Sequence, residues 1–345
     1  MSALQFELPT RLEAHEPPEA RGLARDEVRL LVASGRDSRI AHARFRDLPA
    51  FLAPGDVVVV NTSATLAAAL PAERESDGCK LELRLSTPAP HRVADQWWIV
   101  ELRASGRPFL SGHECDELLL PGGGRATIVA PYAGGRRLWL AKLELPEPLA
   151  DYLARHGHPI RYSYVPREWP LGVYQNVYAL DPGSAEMASA GRPLTAELVT
   201  QLIARGIHVA PVTLHTGVSS PERGEAPYAE RYRVPDSTAR LVNAVRWWGG
   251  RVIAVGTTVV RALETVADPD GTISAGEGWT NLVIDATRGV YAVDGLVTGW
   301  HEPEASHLEL LRALAPEELL DRCYREALER GYLWHEFGDS HLILP

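Results

Sequence analysis

The sequence is poor in cysteine, with three residues among 345, and these stand far apart at Cys79, Cys115 and Cys323. Isolated cysteines of this kind form no zinc-ligand spacing and cannot pair into a complete disulfide set. A reducing, cytoplasmic compartment is therefore the simplest expectation. We also expect no metal centre.

Long hydrophobic runs are missing too. No stretch of about 18 apolar residues occurs, so no membrane-spanning helix is expected, and the first twenty or so residues lack the apolar core of a signal peptide. The formal net charge of −10 gives no global attraction to nucleic acid, which weakens a polynucleotide partner without excluding it. The sequence also lacks the phosphate-loop, dinucleotide-binding and nucleophile-elbow motifs.

Two kinds of pattern fill the chain instead. Residues from about 72 to 146 hold short alternating segments, such as 81–85 and 138–145, separated by glycine and proline clusters, which is typical of a small antiparallel barrel. The parts before and after it mix buried strands with amphipathic helices. We therefore predict a discontinuous α/β domain, formed by residues 1–71 and 147–345, with an inserted β-barrel domain at 72–146.

Several elements of the α/β part can be placed from local signals. Thr195 is expected to cap a helix over residues 196–205, which Gly206 ends. The predicted strands cover residues 28–33, 57–60, 207–214 and 281–285, and the further predicted helices cover 236–248, 308–314 and 317–328. Polar residues at the carboxyl ends of such strands are favourable positions for a ligand site.

Residues 252–264, VIAVGTTVVRALE, are the most informative stretch. The first four predict a strand covered on both faces, and Gly256 permits a sharp turn into a helix. Thr257 or Thr258 is expected to cap that helix, whose free N–H groups suit a carboxylate, a phosphate or nucleoside hydroxyls. Arg261 adds a positive charge one turn further on. The alternative is an ordinary strand–helix connection without a ligand.

Polar residues at four strand or helix ends form a candidate site if the fold brings them together. The segments are residues 189–195, 213–217, 256–258 and 298–301. Their hydroxyls, histidines and indole fit an adenosine and amino-acid ligand better than a metal. His215 and His301 are candidate bases or ligand-orienting residues, although a histidine after a strand is more often structural. Trp300 offers a stacking face.

Seven runs follow one another in an order known from a protein family. They are residues 25–32 (RDEVRLLV), 54–61 (PGDVVVVN), 174–179 (YQNVYA), 255–264 (VGTTVVRALE), 278–280 (GWT), 293–296 (VDGL) and 337–339 (FGD). Together they resemble motifs of the S-adenosylmethionine:tRNA ribosyltransferase-isomerases of queuosine biosynthesis, the QueA family. The resemblance covers nearly the whole chain.

The resemblance implies an α/β domain with an inserted β-barrel, in agreement with the pattern above. It also implies a reaction in which the ribosyl part of S-adenosylmethionine moves to an aminomethyl-deazaguanine base in tRNA and rearranges to an epoxycyclopentane, while adenine and methionine leave. S-adenosylmethionine is then a consumed substrate. Its sulfonium makes the C5′ protons acidic, so that a base can start the sequence.

Candidate residues follow from the motifs and the site segments together. The candidate acid–base residues are His215, Glu230 and His301. The candidate ligand-binding residues are Ser189, Gly191, Arg192, Thr195, Gly256, Thr257, Thr258, Arg261 and Trp300.

The chain departs from the family pattern in several runs. The family's Leu-His-Phe is replaced by residues 192–194, two family histidines are missing from residues 225–230 although Glu230 remains, and Glu304 stands where the family has lysine. Lost basic residues would weaken contact with phosphates. We therefore expect a retained S-adenosylmethionine site beside an altered acceptor site. Arg192 is expected to replace the lost histidine or to bind a carboxylate, the alternative being that it points into solvent.

Three functions stay open at this point. The first is the family reaction on tRNA. The second is an enzyme of the same scaffold that transforms S-adenosylmethionine alone or with a small-molecule acceptor. The third is a non-catalytic protein that binds an adenosyl ligand. Release of adenine separates both enzymes from the third, and a requirement for tRNA separates the first from the second.

Overall fold

The computed structural model describes residues 6–90, 96–218, 228–303 and 305–345. Within those ranges the strands are β1 (Arg29–Ser34), β2 (Arg39–Arg44), β3 (Val57–Asn61), β4 (Ser63–Thr65), β5 (Ala69–Arg74), β6 (Lys80–Pro88), β7 (Trp97–Ala104), β8 (Arg107–Pro108), β9 (Glu117–Leu119), β10 (Arg125–Pro131), β11 (Leu138–Glu144), β12 (Asp181–Ser184), β13 (His208–Leu214), β14 (Glu230–Val234), β15 (Val252–Val255), β16 (Gly276–Thr280), β17 (Gly295–Gly299) and β18 (Ser340–Leu344).

The same ranges contain α-helices and shorter 3₁₀ turns. The α-helices are α1 (Leu149–His156), α2 (Ala196–Ala204), α3 (Asp236–Trp247), α4 (Thr257–Thr265), α5 (Ser306–Leu314) and α6 (Glu317–Glu329). The 3₁₀ turns lie at Thr10–Leu12, Pro18–Arg21, Arg25–Glu27, Phe45–Ala50, Pro121–Gly123, Leu171–Tyr174 and Ser189–Gly191. None of the helices that the structure describes is both long and apolar enough to cross a bilayer.

A nine-stranded mixed sheet organises the α/β part, in the order β16-β14-β13-β3-β15-β17-β18-β1-β2. Its centre is parallel, because β3 pairs in parallel with β13 and β15, and β15 with β17. The strands β16, β14 and β2 are joined to it antiparallel. The predicted α/β class is confirmed, and the parallel centre aligns the carboxyl ends of four strands, β13, β3, β15 and β17, at one edge, where ligands bind in such sheets.

The four valines of β3 show why this sheet is covered on both faces. Val57 and Val59 pack into one core together with α3, α4, α5 and α6, while Val58 and Val60 pack into a second core with α2 and Phe45. Successive side chains of a strand point to opposite faces, so an unbroken apolar run requires two cores. Each buried valine contributes roughly 1.5 kcal/mol or more to stability.

The inserted barrel closes on itself. Its sheet runs β11-β10-β9-β5-β6-β7-β8, and an additional pairing of β11 with β7 closes six of the strands, leaving β8 as an extra strand. All of these strands lie between Ala69 and Glu144, and the predicted barrel is confirmed. The glycine run after Pro121 is the turn between the antiparallel β9 and β10 rather than a phosphate loop.

Two ion pairs show that residues of three family-like motifs have a structural role. Arg29 of the RDEVRLLV run pairs with Asp339 of the FGD run at 2.7 Å, which ties β1 to the segment before β18. Asp56 of the PGD run pairs with Arg251 at 2.6 Å, which ties the start of β3 to the start of β15. Both carboxylates are buried. These motif residues fix the sheet and lie outside the cleft described below.

One predicted strand is wrong. Residues 281–285 form no strand, and the strand of this region is β16, which starts five residues earlier and pairs with β14. Local propensity favoured the apolar Leu282, Val283 and Ile284 over the glycine-containing segment before them. Tertiary pairing with β14 decided the outcome, and the three apolar residues instead form a wall of the cleft.

Candidate functional site

A cleft of about 660 Å³ lies at the carboxyl edge of the parallel strands. Residues 256–258 after β15 and residues 298–302 at the end of β17 and beyond it form one side. Val218 and Tyr228, which pack against the barrel core, form part of another side. The volume is in the range of small-molecule sites. The cleft thus lies between the α/β sheet and the barrel.

Gly256 makes the turn that opens the cleft wall. Its φ of 95° is a conformation that non-glycine residues rarely adopt. It is also the N-cap residue of α4, and no side chain caps the helix, so the predicted threonine cap is wrong. Thr257 and Thr258 instead line the cleft, at a helix start whose first N–H groups have no partner within the helix.

Asn61, at the end of β3, holds this turn against the neighbouring strand. Its amide nitrogen donates to the carbonyl of Leu214 at 2.9 Å and to Oγ1 of Thr258 at 3.3 Å. Its amide oxygen accepts from the backbone N–H groups of Leu214 and Ser63. Asn61 is buried. It therefore positions Thr258 by linking the carboxyl ends of β3 and β13 to the first turn of α4.

Glu230 and Arg261 meet inside the cleft. The Arg261 guanidinium donates to the Glu230 carboxylate, and both residues line the cleft. The other Glu230 oxygen accepts from the backbone N–H of Gly217 at 3.0 Å. Arg261 also donates to the carbonyls of Leu282 and Thr280. These contacts hold the ion pair in place. Its positively charged member, Arg261, can bind a carboxylate of a ligand.

His301 also lines the cleft, next to a second histidine, His307. Its Nε2 lies 2.9 Å from Oγ1 of Thr298, and its ring stacks on His307 with centroids 4.5 Å apart. Burial, followed by the charges of neighbouring histidines, lowers the pKa of His301 well below its ordinary value. Burial and then Arg261 lower the pKa of His307 to about 4. Both rings are therefore neutral at pH 7 and can accept a proton.

Trp300 borders the cleft, but one face of its indole is covered. The ring stacks on His341 with centroids 4.8 Å apart and an interplanar angle of 5°. Only 2% of Trp300 is exposed.

His215 lies outside the set of residues that line the cleft. Its Nδ1 is 2.7 Å from the Ser63 hydroxyl, and a Cβ at Gly183 would lie 2.5 Å from that same nitrogen. Burial, followed by the charge of Arg231, lowers the pKa of His215. The ring packs against Ser63 of β4 and Gly183 of β12, two strands that pair with each other.

Some residues of the segment 189–195 line the cleft, and others pack inside the protein. Ser189 lines the cleft, whereas Gly191 packs so closely on Tyr178 that a Cβ would lie 1.8 Å from its hydroxyl. Thr195 caps α2 as predicted, accepting from the N–H of Leu198 at 3.1 Å. These contacts assign Gly191 and Thr195 to the local fold.

Arg192 points neither into solvent nor into the cleft. It is 2% exposed and pairs with Glu19 at 2.9 Å. Its Nε donates to the carbonyl of Val173 at 3.0 Å, and its guanidinium lies over the ring of Phe337 at 5.1 Å. The side chain thus joins the N-terminal segment to the loop before β18.

Several residues that line the cleft were missed in the sequence reasoning. They are Tyr162, Tyr164, Tyr174, Glu186, His335 and Glu336. Two sequence motifs could have indicated members of this set, since Tyr174 begins the YQNVYA run and Glu336 precedes the FGD run. Residues 219–221, 225–227 and Glu304, where the sequence departs from the family, lie outside the described residues.

The ionisable lining of the cleft is mainly acidic. Apart from tyrosines, the ionisable lining within the described residues comprises Glu186, Glu230, Glu302, Glu336, Arg261 and three histidines. No cluster of three or more histidine, cysteine or acidic residues in the described part of the chain is placed to hold a metal ion.

Comparison with known proteins agrees with this architecture. A family model described as "Queuosine biosynthesis protein" matches residues 1–343. An S-adenosylmethionine:tRNA ribosyltransferase-isomerase of Symbiobacterium thermophilum is 39% identical over 353 residues, covering 100% of this chain and 99% of the relative. The protein of that name from Moorella thermoacetica is 38% identical over 351 residues and 98% of each chain.

A solved structure is similar as well. The crystal structure of S-adenosylmethionine tRNA ribosyltransferase from Thermotoga maritima, at 2.00 Å resolution, matches 99% of this chain and 100% of its own with a TM-score of 0.55 and 29% identity. The α/β sheet with its inserted barrel and cleft is thus the scaffold of a transferase-isomerase enzyme. The chain belongs to the queuosine biosynthesis protein family of ribosyltransferase-isomerases, which confirms the resemblance found in the sequence.

Proposed function

We propose that this enzyme binds S-adenosylmethionine in the cleft and consumes it as a ribosyl donor, with tRNA carrying an aminomethyl-deazaguanine base as the acceptor. Adenine and methionine leave. The observation that carries the proposal is the position of the VGTTVVRALE run, whose Gly256, Thr257, Thr258 and Arg261 all line one cleft of about 660 Å³. The relatives in Symbiobacterium and Moorella carry names that state both substrates.

The start of α4 and Arg261 supply the binding groups in this proposal. Free N–H groups at a helix start and a threonine hydroxyl suit the hydroxyls or the carboxylate of the ligand. Arg261 supplies the charged donor for a carboxylate. Its position is fixed, because Glu230 and two backbone carbonyls hold the guanidinium.

We assign removal of the first proton to His301. The ring lines the cleft and is neutral at pH 7, so it can accept a proton from the carbon next to the sulfonium. Glu230 is engaged by Arg261 and by the N–H of Gly217, which suits a positioning role. His215 does not line the cleft, and its Nδ1 is bonded to Ser63.

A second candidate is the same chemistry on a small-molecule acceptor. The acidic lining favours it, since the described residues of the cleft include four glutamates and a single arginine. Such a surface attracts a cation and repels phosphates. A tRNA base could still enter with its phosphates kept outside the cleft.

The experiment is incubation with S-adenosylmethionine, with and without tRNA bearing the aminomethyl-deazaguanine base, followed by mass spectrometry. The first proposal expects adenine and methionine in equal amounts only when that tRNA is present, and a mass gain on the tRNA. Release without tRNA supports the second candidate. No release in either case contradicts both. The Arg261→Met variant is the control, because it lacks the charged donor and is expected to release neither product.

A further inference from the structure

Tyr164, Tyr174, His335 and Glu336 form a continuous wall of the cleft. Tyr164 joins the members, since its ring stacks on His335 with centroids 3.9 Å apart and its hydroxyl donates to the Glu336 carboxylate. Glu336 is close enough to Tyr174 to raise the pKa of that hydroxyl, although burial is the larger cause and the pKa reaches about 12. We call these four residues the tyrosine–glutamate wall.

Two polar atoms of the tyrosine–glutamate wall have no hydrogen-bond partner. They are the Tyr174 hydroxyl, in a residue that is only 3% exposed, and Nε2 of His335. Leaving a buried polar atom unpaired destabilises the folded protein. Such atoms are rare in folded proteins and call for an explanation when they line a cavity. A bound ligand would satisfy both of them.

The backbone of His335 is also unusual. Its φ is 72°, in the left-handed region that few residues other than glycine adopt. The preceding residue, Trp334, is fully buried, and its indole N–H donates to the carbonyl of His301 at 3.1 Å. Strained conformations of this kind persist where surrounding structure enforces them, and they concentrate at functional sites.

The charges around the wall indicate which kind of ligand fits. Burial lowers the pKa of His335 to about 4, so its imidazole is neutral and Nε2 can accept a hydrogen bond. Burial raises the pKa of Glu336 in spite of the bond from Tyr164. Two further carboxylates, Glu302 and Glu13, lie 3.8 Å and 4.0 Å from Nε2 of His335. A cation placed here would therefore be stabilised.

The two arginines whose charges reach the wall, Arg161 and Arg192, are both engaged elsewhere, so this is not an anion site. Arg161 donates to the carbonyls of Val165 and Pro166. Arg192, whose charge reaches Glu336, is directed to Glu19 and the carbonyl of Val173. A primary ammonium has three N–H donors and no acceptor. The wall offers three matching groups, namely the Glu336 carboxylate, the Tyr174 hydroxyl and Nε2 of His335.

We propose that the tyrosine–glutamate wall is a subsite for a primary ammonium group. Tyr174 and Glu336 are its specificity-determining residues, and Tyr164 is the positioning residue that orients Glu336. The ammonium can come from two sources, the amino-acid end of S-adenosylmethionine or an amine on the acceptor. The choice between these sources rests on the function proposed above, whereas the subsite itself is defined by the wall.

The central variant is Tyr174→Phe, which removes only the unpaired hydroxyl. It is expected to raise the melting temperature of the unliganded protein while weakening ammonium binding, because the hydroxyl has a partner only in the complex. Glu336→Gln removes the charge but keeps an acceptor for Tyr164. Tyr178→Phe is the matched control, since Tyr178 lies four residues further on and does not line the cleft.

Calorimetry with two ligand pairs tests both sources. S-adenosylmethionine is compared with 5′-methylthioadenosine, which lacks the amino-acid end, and aminomethyl-deazaguanine with methyl-deazaguanine, which lacks the amine. For the true source, Tyr174→Phe and Glu336→Gln are each expected to weaken the amine-bearing ligand about 10- to 100-fold. Its amine-free counterpart and the Tyr178→Phe control should stay within about twofold of wild type.

The proposal is overturned if neither variant changes the affinity of either amine-bearing ligand, or if both members of a pair weaken equally. Because these readouts are binding constants, they are independent of turnover. A wild-type protein that binds an amine through the wall yet releases no adenine would retain the subsite and contradict only the proposed reaction.

Discussion

Arg261 and Glu230, which both line the cleft, form an ion pair that joins α4 to the first residue of β14. Their side chains are 19% and 10% exposed, so water screens the pair only in part. Glu230 is also held by the N–H of Gly217, and Arg261 by two backbone carbonyls. The pair therefore ties the arginine of the proposed ligand site to the edge of the sheet.

Replacing one or both members of this pair tests its role in stability separately from its proposed role in ligand binding. Arg261→Met leaves Glu230 without its counter-charge and is expected to lower the free energy of unfolding by about 2–4 kcal/mol. The double variant Arg261→Met/Glu230→Gln should recover at least about 1 kcal/mol of this, because no buried charge is left unpaired. Binding of S-adenosylmethionine should be lost in both. Urea unfolding and calorimetry measure these effects, and a double variant as unstable as Arg261→Met would show that the pair is not coupled.

Asn61 is expected to affect ligand binding through Thr258. Asn61→Asp replaces the amide donor by a carboxylate facing the Leu214 carbonyl, which should cost roughly 2 kcal/mol or more of stability. It should also weaken S-adenosylmethionine binding at least about tenfold, because Thr258 loses its anchor.

Asn243→Asp is the matched control for that experiment. Asn243 is also an amide that both donates to and accepts from backbone groups, here those of Ile273. Ile273 does not line the cleft, whereas Thr258, which Asn61 holds, does. A comparable loss of stability with unchanged binding is expected. Equal losses of binding in both variants would show that Asn61 acts through general stability alone.

Local signals in the sequence were sufficient to predict β15 before the α4 turn and the start of α2. The apolar run before Gly256 and the Thr195 cap involve residues within a few positions of one another, so pattern and chemistry define them. The closed barrel was also predictable, because alternation and glycine-rich turns repeat along one continuous stretch.

Ion pairs between residues far apart in the sequence could not be predicted in the same way. Arg192 pairs with Glu19 across 173 residues and Arg29 with Asp339 across 310, and no local pattern encodes such partners. The cap of α4 shows a similar limit, since Thr258 bonds to Asn61 rather than to its own helix. The tyrosine–glutamate wall likewise arises where a loop near the C-terminus meets the segment of residues 162–174.

The Arg192–Glu19 pair predicts an asymmetry between its two single variants. Arg192 is buried, whereas the Glu19 side chain is 44% exposed. Glu19→Gln therefore leaves a buried arginine unpaired and should lower the free energy of unfolding by about 1–2 kcal/mol, a value reduced for solvent screening. Arg192→Met leaves a carboxylate that water can solvate, and should cost less than about 1 kcal/mol. Chemical denaturation measures both, and the reverse order would contradict the assignment of Arg192 as the buried member.

His341 predicts a pH dependence of stability. The residue is fully buried, neither ring nitrogen has a hydrogen-bond partner, and burial lowers its pKa to about 3. In the unfolded chain a histidine titrates near pH 6.5. Between these values the unfolded state binds the additional proton, so the stability that the neutral ring contributes is present above about pH 6.5 and is lost as the pH falls.

The loss attributable to His341 should amount to about 4–5 kcal/mol between pH 7 and pH 3. His341→Phe keeps an aromatic ring stacked on Trp300 but cannot be protonated, so the variant should show a shallower fall of unfolding free energy between pH 6.5 and pH 4. His208→Gln changes an exposed histidine and is expected to leave the slope as in wild type. Urea unfolding at a series of pH values measures the slopes. Identical slopes for wild type and His341→Phe would mean that the acid sensitivity resides in other groups, such as His335 and His307.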